Sequence, residues 1–356
     1  MGFLEKKIFS CSVERKFFYS NIGISLGVLL AASSGGWDIT YHVLNKPETF
    51  FSPPHFLLYT GIFTSFIGTI IMFFQWNQFL DKQRSKFRFS VKIGIIGIFF
   101  LMSAGPIDFF WHNNFGLDGL LSPPHQIMIL GMFLCSIGSM ISILRYEKLR
   151  KDKPDLSHSL LISLSLLSVW GASLGFLYSF SLPFSKTDFF NFNPDIYFAA
   201  TFAAFSLPFL NSSILVLTSK LASHKFGILS ITGIIFLLIN LSNSVLPNHD
   251  LFAFIPFYIL NIIPFIVADI IITISNRRIF IYVAGAIIGV SFYFFYFPLI
   301  AHVYNEVVYD RMISGSLTAN VYFEILPIIM PLIVGPAIIG GVFGARFAEK
   351  IISRLF

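Results

Sequence analysis

Asp38, His42 and His55 recur as Asp108, His112 and His125, and each trio sits in the frame Asp-x3-His-x9-Ser-Pro-Pro-His, displaced by 70 residues. One carboxylate and two imidazoles per copy make a ligand inventory suited to copper, iron or zinc. Residues four apart share a helical face, so Asp38 and His42, like Asp108 and His112, point towards the same place. Ser52 and Ser122 are favourable helix N-caps, and Pro53 and Pro123 favourable first helical residues, because the missing N–H is one the helix leaves unpaired anyway. His55 and His125 then fall in the first turn of a following helix. The nine residues between each first histidine and its Ser-Pro-Pro turn keep the two helices adjacent. Each hairpin can thus present three convergent ligands and keep a coordination position open for water, oxygen or substrate.

The same residues have a plainer reading. An Asp–His pair can be a polar contact between helices, and Ser-Pro-Pro only a helix start. Repetition of the whole frame favours function, because ionisable groups within a membrane are costly and are usually kept for a purpose.

The membrane setting follows from composition. Of the 356 residues, 55% are hydrophobic and only 12% charged, and mean hydropathy is +0.78, whereas soluble domains are about one quarter charged. Apolar runs of about 20 residues, enough to cross the hydrocarbon layer, lie near 18–44, 52–76, 90–113, 122–145, 158–181, 194–219, 224–246, 251–275, 279–303 and 322–346. The expectation is an all-α, polytopic transmembrane bundle of about ten spans in the plasma membrane. With the N-terminus inside, every Lys and Arg except Lys46, Lys186 and Arg311 falls on the inner side, as the retention of positive loops in the cytoplasm requires. Both termini are then cytoplasmic and both trios lie near the outer face. The net charge of +6 is a topology signal, and no concentrated basic face suggests nucleic acid. The small residues Ala31 to Ser34 run straight into Trp37 and Asp38, so the first span reads as retained rather than as a cleaved leader. Cys11 on the inner side and Cys135 within a span leave no reason to expect a disulfide.

Three regions follow: a cytoplasmic N-terminal segment (1–17), a duplicated metal-binding hairpin region of four spans (18–146), and a six-span C-terminal membrane region (147–356). Gly35 and Gly105, Gly61 and Gly131, and Gly68 and Gly138 also fall in register between the two copies. Each copy holds an even number of spans, so both insert the same way up, as parallel repeats do. A third copy is degenerate, with Asn193-Pro194-Asp195 where Pro-Pro-His would stand.

Other candidates are weaker. His249, His302, Glu306 and Glu324 lie at outer ends of later spans and could complete a site. His158 and His224 read as solvated or interfacial. Trp37, Tyr41, Tyr59, Trp111 and the many phenylalanines could shield a metal, but an aromatic belt is the simpler account. Asp269 reads as a structural ion-pair partner of Arg277 and Arg278. The inner halves of the first four spans are nearly all aliphatic, which disfavours a conduit across the bilayer.

The string Asp-x-x-Trp/Tyr-His followed by Ser-Pro-Pro-His resembles the metal-binding stretch of the C-type membrane subunit in the copper membrane monooxygenase family, the particulate methane and ammonia monooxygenases, over roughly residues 30–146. In that family an Asp-x3-His helix is followed by a second histidine just after a Thr/Ser-Pro helix start. Asp38, His42 and His55 match this residue by residue, and so do Asp108, His112 and His125. The family has a further copper ligand set downstream that begins with an amide, where this chain has Asp108. The resemblance implies copper bound by the six residues, oxygen activation beside a small apolar or gaseous substrate, and other membrane subunits as partners. The family's C-type chain has fewer than ten spans, and residues beyond 146 have no counterpart in it. A non-catalytic copper transport or delivery protein, and an iron or zinc membrane enzyme, remain as alternatives, since two histidines and a carboxylate also describe an iron facial triad.

Overall fold

The computed structural model describes residues 2–43, 46, 47, 49, 51–116, 119–149, 155–181, 192–222, 225–247, 252, 255–275, 277–291 and 326–355. Among these the regular structure is entirely helical: α1 (Gly2–Val43), α2 (Pro53–Asn77), α3 (Asp81–Phe115), α4 (Pro123–Leu149), α5 (Leu156–Ser181), α6 (Ile196–Leu221), α7 (Ile228–Val245), α8 (Ile255–Leu260), α9 (Ile262–Ile274), α10 (Arg278–Ser291) and α11 (Leu326–Leu355). Six of them, α1 to α6, carry stretches long and apolar enough to cross a membrane. Helices suit that setting because each satisfies its own backbone polar groups, which lipid cannot do. α1 runs unbroken through the expected N-terminal segment into the first span, and Val13 and Phe17 are already buried.

α1 pairs with α2 and α3 with α4, each as a close hairpin, and α4 and α5 both pack on α1. Where hydrophobic residues surround every helix, close approach comes from small residues rather than from an apolar stripe. A Cβ built on Gly61 would lie 2.5 Å from the Gly27 carbonyl oxygen and 2.6 Å from the Ala31 nitrogen. A Cβ on Gly131 would lie 3.0 Å from the Gly97 carbonyl and 2.7 Å from the Leu101 nitrogen. These are the same contacts displaced by 70 residues, and Gly68 against Ser20 and Gly138 against Ser90 repeat them further along each hairpin.

Towards that end of the hairpins the expectation of nearly pure aliphatic lining needs amendment. Ser25 and Ser139 hydroxyls meet at 2.9 Å, and Ser142 donates to Ser90 at 2.8 Å. These serines satisfy one another between helices, as polar residues in membrane bundles commonly do.

The second half of the chain packs around Trp170, which stacks on Phe236 with ring centroids 3.7 Å apart and donates its indole N–H to Asn211 at 2.9 Å. Asp269 is fully buried. It accepts from the Gly227 N–H at 2.9 Å, the Ser230 N–H at 3.0 Å and the Ser230 hydroxyl at 2.8 Å. The expected pairing with Arg277 and Arg278 gives way to this role. Asp269 sits about two turns before those arginines in the chain, and the unpaired N–H groups that open α7 are the nearer donors.

Candidate metal centre

Asp108 and His112 lie on the last two turns of α3, and His125 lies on the first turn of α4. Their ligand atoms all fall within 4.8 Å of one another. Nε2 of His112 and Nε2 of His125 each stand 3.4 Å from Oδ1 of Asp108. That exceeds the usual N–H···O range of about 2.7–3.2 Å. It equals the edge of a tetrahedron whose corners stand about 2.1 Å from a central ion, the usual distance for nitrogen and oxygen ligands of zinc. The donor set and its spacing therefore fit a divalent ion.

The backs of both imidazoles are held. Nδ1 of His112 lies 2.9 Å from the Gly116 carbonyl. Nδ1 of His125 lies 3.2 Å from the Gly119 carbonyl and 2.8 Å from the Ser122 hydroxyl. A carbonyl can only accept, so Nδ1 of His112 carries the proton and donates; Nδ1 of His125 does the same where it donates to Gly119, although the Ser122 hydroxyl can also donate to that ring. In the neutral imidazole Nε2 is then a lone pair aimed at a carboxylate oxygen, and two acceptors face each other unless a cation lies between them. Fixing the tautomer through the far nitrogen is how proteins orient metal-binding histidines.

Gly116 makes the first of these bonds possible. It ends α3 with φ of 73°, a conformation open to glycine and strained for other residues, and its carbonyl thereby turns back onto the His112 ring.

Asp38 on α1 and His55 on α2 occupy the corresponding positions, but Nε2 of His55 is 2.9 Å from Oδ1 of Asp38, an ordinary hydrogen-bond or ion-pair distance rather than the 3.4 Å of the Asp108 set. Nδ1 of His55 donates to the Thr49 carbonyl at 2.9 Å, again through the far nitrogen. The backbone of His42 is within α1, but its side chain lies outside the described residues, as do His249, His302, Glu306 and Glu324.

The Ser-Pro-Pro turns act differently from expectation. Ser52 holds the N-cap position of α2, yet its hydroxyl makes no capping bond, and in α4 the Ser122 hydroxyl serves the His125 ring instead. The prolines supply the reason, since they leave fewer N–H groups in the first turn for a cap to satisfy.

Tyr59 is one of the candidate shielding aromatics, and the fold brings it to the His55 ring. It lies one turn after His55 on the same helix, its ring 6.2 Å from the imidazole, and a Cβ on Gly105, about one turn before Asp108, would lie 3.8 Å from its ring. Tyr59 thus lies between the His55 ring on α2 and Gly105 on α3. Tyr59 also rims a cavity of about 470 Å³ between α2 and α3, walled by Ile62 and Phe63 on one side and Leu101, Met102 and Phe109 on the other. Phe63, Met102 and Phe109 are exposed, so the cavity opens on the outside of the bundle. No periodic signal marks Tyr59, which reads as one more interfacial aromatic until the hairpins are placed side by side.

On the opposite end of the bundle His158 is not simply solvated. It pairs with Asp155 at 2.9 Å and Glu147 at 3.8 Å and lies against Phe18. Hydrogen bonds from the His158 backbone and ring and from Ser157 hold the Asp155 carboxyl below its ordinary range. This is a local cap at the start of α5.

No protein-family model, no curated protein and no solved structure matches the chain.

Proposed function

We propose that the chain is a copper-binding integral membrane protein, a component of oxygen-activating chemistry on a small apolar substrate that enters from lipid. The single observation that carries the metal part is the pair of Nε2 atoms facing Oδ1 of Asp108 at 3.4 Å while both Nδ1 atoms are tied to backbone carbonyls. Asp38 and His55 form the second centre, and His42, on the same helical face as Asp38, is its third ligand. The two hairpins are read as copies of one unit, supported by helix contacts that recur at an offset of 70 residues.

Copper is preferred to iron or zinc on the resemblance to the copper membrane monooxygenases, and copper held there would supply oxygen and one-electron chemistry. The chain's own contribution is distinct. Asp108, His112 and His125 hold the ion, while Gly116, Gly119 and Ser122 orient the imidazoles. The apolar wall of α2 and α3 keeps water from the side on which substrate would arrive. Other membrane subunits complete the reaction, as the same resemblance implies. The remaining apolar segments, α7 to α11 with the residues between α10 and α11, bring the spans to about ten, with both termini cytoplasmic and both centres near the outer face.

The test is metal analysis with paramagnetic resonance on anaerobically purified protein. About one to two ions per chain are expected for ligand sets of this kind, with loss at the Asp108 centre in His112→Ala and at both centres in the His42→Ala, His112→Ala double variant. Unchanged metal content in the double variant sinks the reading, and a signal from iron or a silent zinc site redirects it to the alternative enzyme class.

A further inference from the structure

The two hairpins carry different side chains at the residue that follows the second histidine. Phe56 and Gln126 hold this position, and the backbone around them is the same: each donates its N–H to the serine of its Ser-Pro-Pro turn, at 2.9 Å to the Ser52 carbonyl and 3.0 Å to the Ser122 carbonyl. Phe56 is exposed. Gln126 reaches across to α5.

Its side-chain nitrogen donates to the Leu120 carbonyl at 2.7 Å and to the Ser179 hydroxyl at 2.9 Å. The Leu120 carbonyl can only accept, which fixes the amide with its nitrogen on this side. Ser179 in turn donates to the Gly175 carbonyl at 2.8 Å, so its oxygen meets Gln126 as an acceptor. A chain of bonds thus starts on the α5 backbone and ends on the Leu120 peptide. α5 is held close here, since a Cβ on Gly175 would lie 3.1 Å from the Ile129 side chain of α4.

Leu120 lies, along the chain, between the two groups that hold the His125 ring. The Gly119 carbonyl stands 3.2 Å from Nδ1 of His125 and the Ser122 hydroxyl 2.8 Å, and the Ser122 N–H closes a turn onto the Gly119 carbonyl at 3.1 Å. A β-turn has few free torsions, so tying the Leu120 carbonyl to α5 fixes where both orienting groups stand. The other side of the turn is pressed by the chain ahead of α6, where a Cβ on Gly119 would meet the Phe192 carbonyl and the Asn193 side chain. The first hairpin lacks the equivalent tie. The Phe56 side chain has no polar group, and the Ser52 hydroxyl is buried without a hydrogen-bond partner among the described residues. There Nε2 of His55 closes onto Asp38 at 2.9 Å, whereas Nε2 of His125 is kept 3.4 Å from Asp108.

We infer that Gln126 is a positioning residue of the Asp108 centre: it ties the Gly119–Ser122 turn to Ser179 of α5 and so holds the His125 imidazole in its ligating position. Through α5, the second half of the chain then supports the centre. The effect of Gln126 on copper rests on the proposed function; its effect on the ring does not.

The experiment uses full-length protein in phosphatidylcholine nanodiscs, carrying His55→Ala so that the Asp38 centre is lost. Nitrogen-15 imidazole spectra of the metal-free protein report the ring, with the His125 signals assigned by their loss in His125→Asn. Copper titration followed by paramagnetic resonance reports affinity. Gln126→Met keeps the size of the side chain and removes its donors. It should split or broaden the sharp His125 signals and weaken copper binding about tenfold, the low end of the range for a lost orienting partner. Ser179→Ala should do the same more mildly and serves if the methionine variant does not fold, while Ser179→Thr, which keeps the hydroxyl, should match the parent. Ser139→Ala breaks a bond between α1 and α4 away from the turn and should leave both readings unchanged. Unchanged His125 signals in folded Gln126→Met or Ser179→Ala protein overturn the inference, and equal broadening in Ser139→Ala overturns it in favour of general loosening. Absence of copper from the parent, or copper undiminished in His112→Ala, strikes the metal reading alone, because the ring spectra still decide the role of Gln126.

Discussion

Gly27 on α1 and Gly61 on α2 touch backbone to backbone: a Cβ on either would lie 2.5 Å from the other's carbonyl oxygen. This contact sits about two to three helical turns from Asp38 and His55, and it sets how near the ends of the two helices that carry them can come. A 2.9 Å separation between residues on different helices depends on it. The second hairpin has the equivalent contact between Gly97 and Gly131.

Substitution at these contacts should therefore act at a distance. Gly131→Val forces backbone apart in a region with no slack, and overpacking of this kind costs about 1–3 kcal/mol. The expected outcome is a lower thermal midpoint together with loss of metal at the Asp108 centre, while the Asp38 centre keeps its ion. Gly61→Val should show the reverse selectivity. If both variants lose both ions equally, the hairpins do not act as separate units.

Gly116 offers a sharper test of ligand orientation. Gly116→Ala strains a residue at φ of 73° and displaces the carbonyl that His112 Nδ1–H donates to. Loss of such an orienting bond lowers metal affinity about 10- to 100-fold. Titration of the apo protein with copper, followed by absorbance or paramagnetic resonance, should show weakening at one centre only. Retained affinity in Gly116→Ala would mean that His112 is not positioned through its far nitrogen.

Asp269 separates fold from function. Asp269→Ala leaves the N–H groups of Gly227 and Ser230 without their acceptor in a buried setting, which costs about 1–3 kcal/mol. Asn at the same position keeps one acceptor oxygen and should cost less. Thermal unfolding in detergent should rank wild type, Asn and Ala in that order, with metal content unchanged in all folded protein. A loss of metal in folded Asp269→Ala would mean that α7, which reaches Gly36 of α1 through Asn243, carries the change to the Asp38 end.

Orientation is tested by reporter fusions. Lys86 and Lys151 should report cytoplasm, and Gly116 and Asn248 the outside, since positive residues are retained within. An outside signal at Lys86 would place both centres on the inner face.

The helical character, the positions of α1 to α6 and the hairpin pairing were legible in the chain because they depend on local quantities: runs of apolar residues, proline at helix starts and a frame repeated 70 residues on. The four-residue spacing of Asp108 and His112 likewise put both on one face before any fold was known. Tertiary structure decided what depends on approach between helices. It brought His125 to Asp108, assigned Ser122 to an imidazole instead of a helix end, and turned the Gly116 carbonyl onto His112. It moved Asp269 from a surface pair to the head of α7. It also placed Tyr59 between the His55 ring and Gly105 of α3, on the rim of a cavity that opens on the outside of the bundle. Local pattern records which face of a helix a residue occupies. The distance to the facing helix is set by which small residues touch there, and the chain alone does not show which glycine meets which until the helices are side by side.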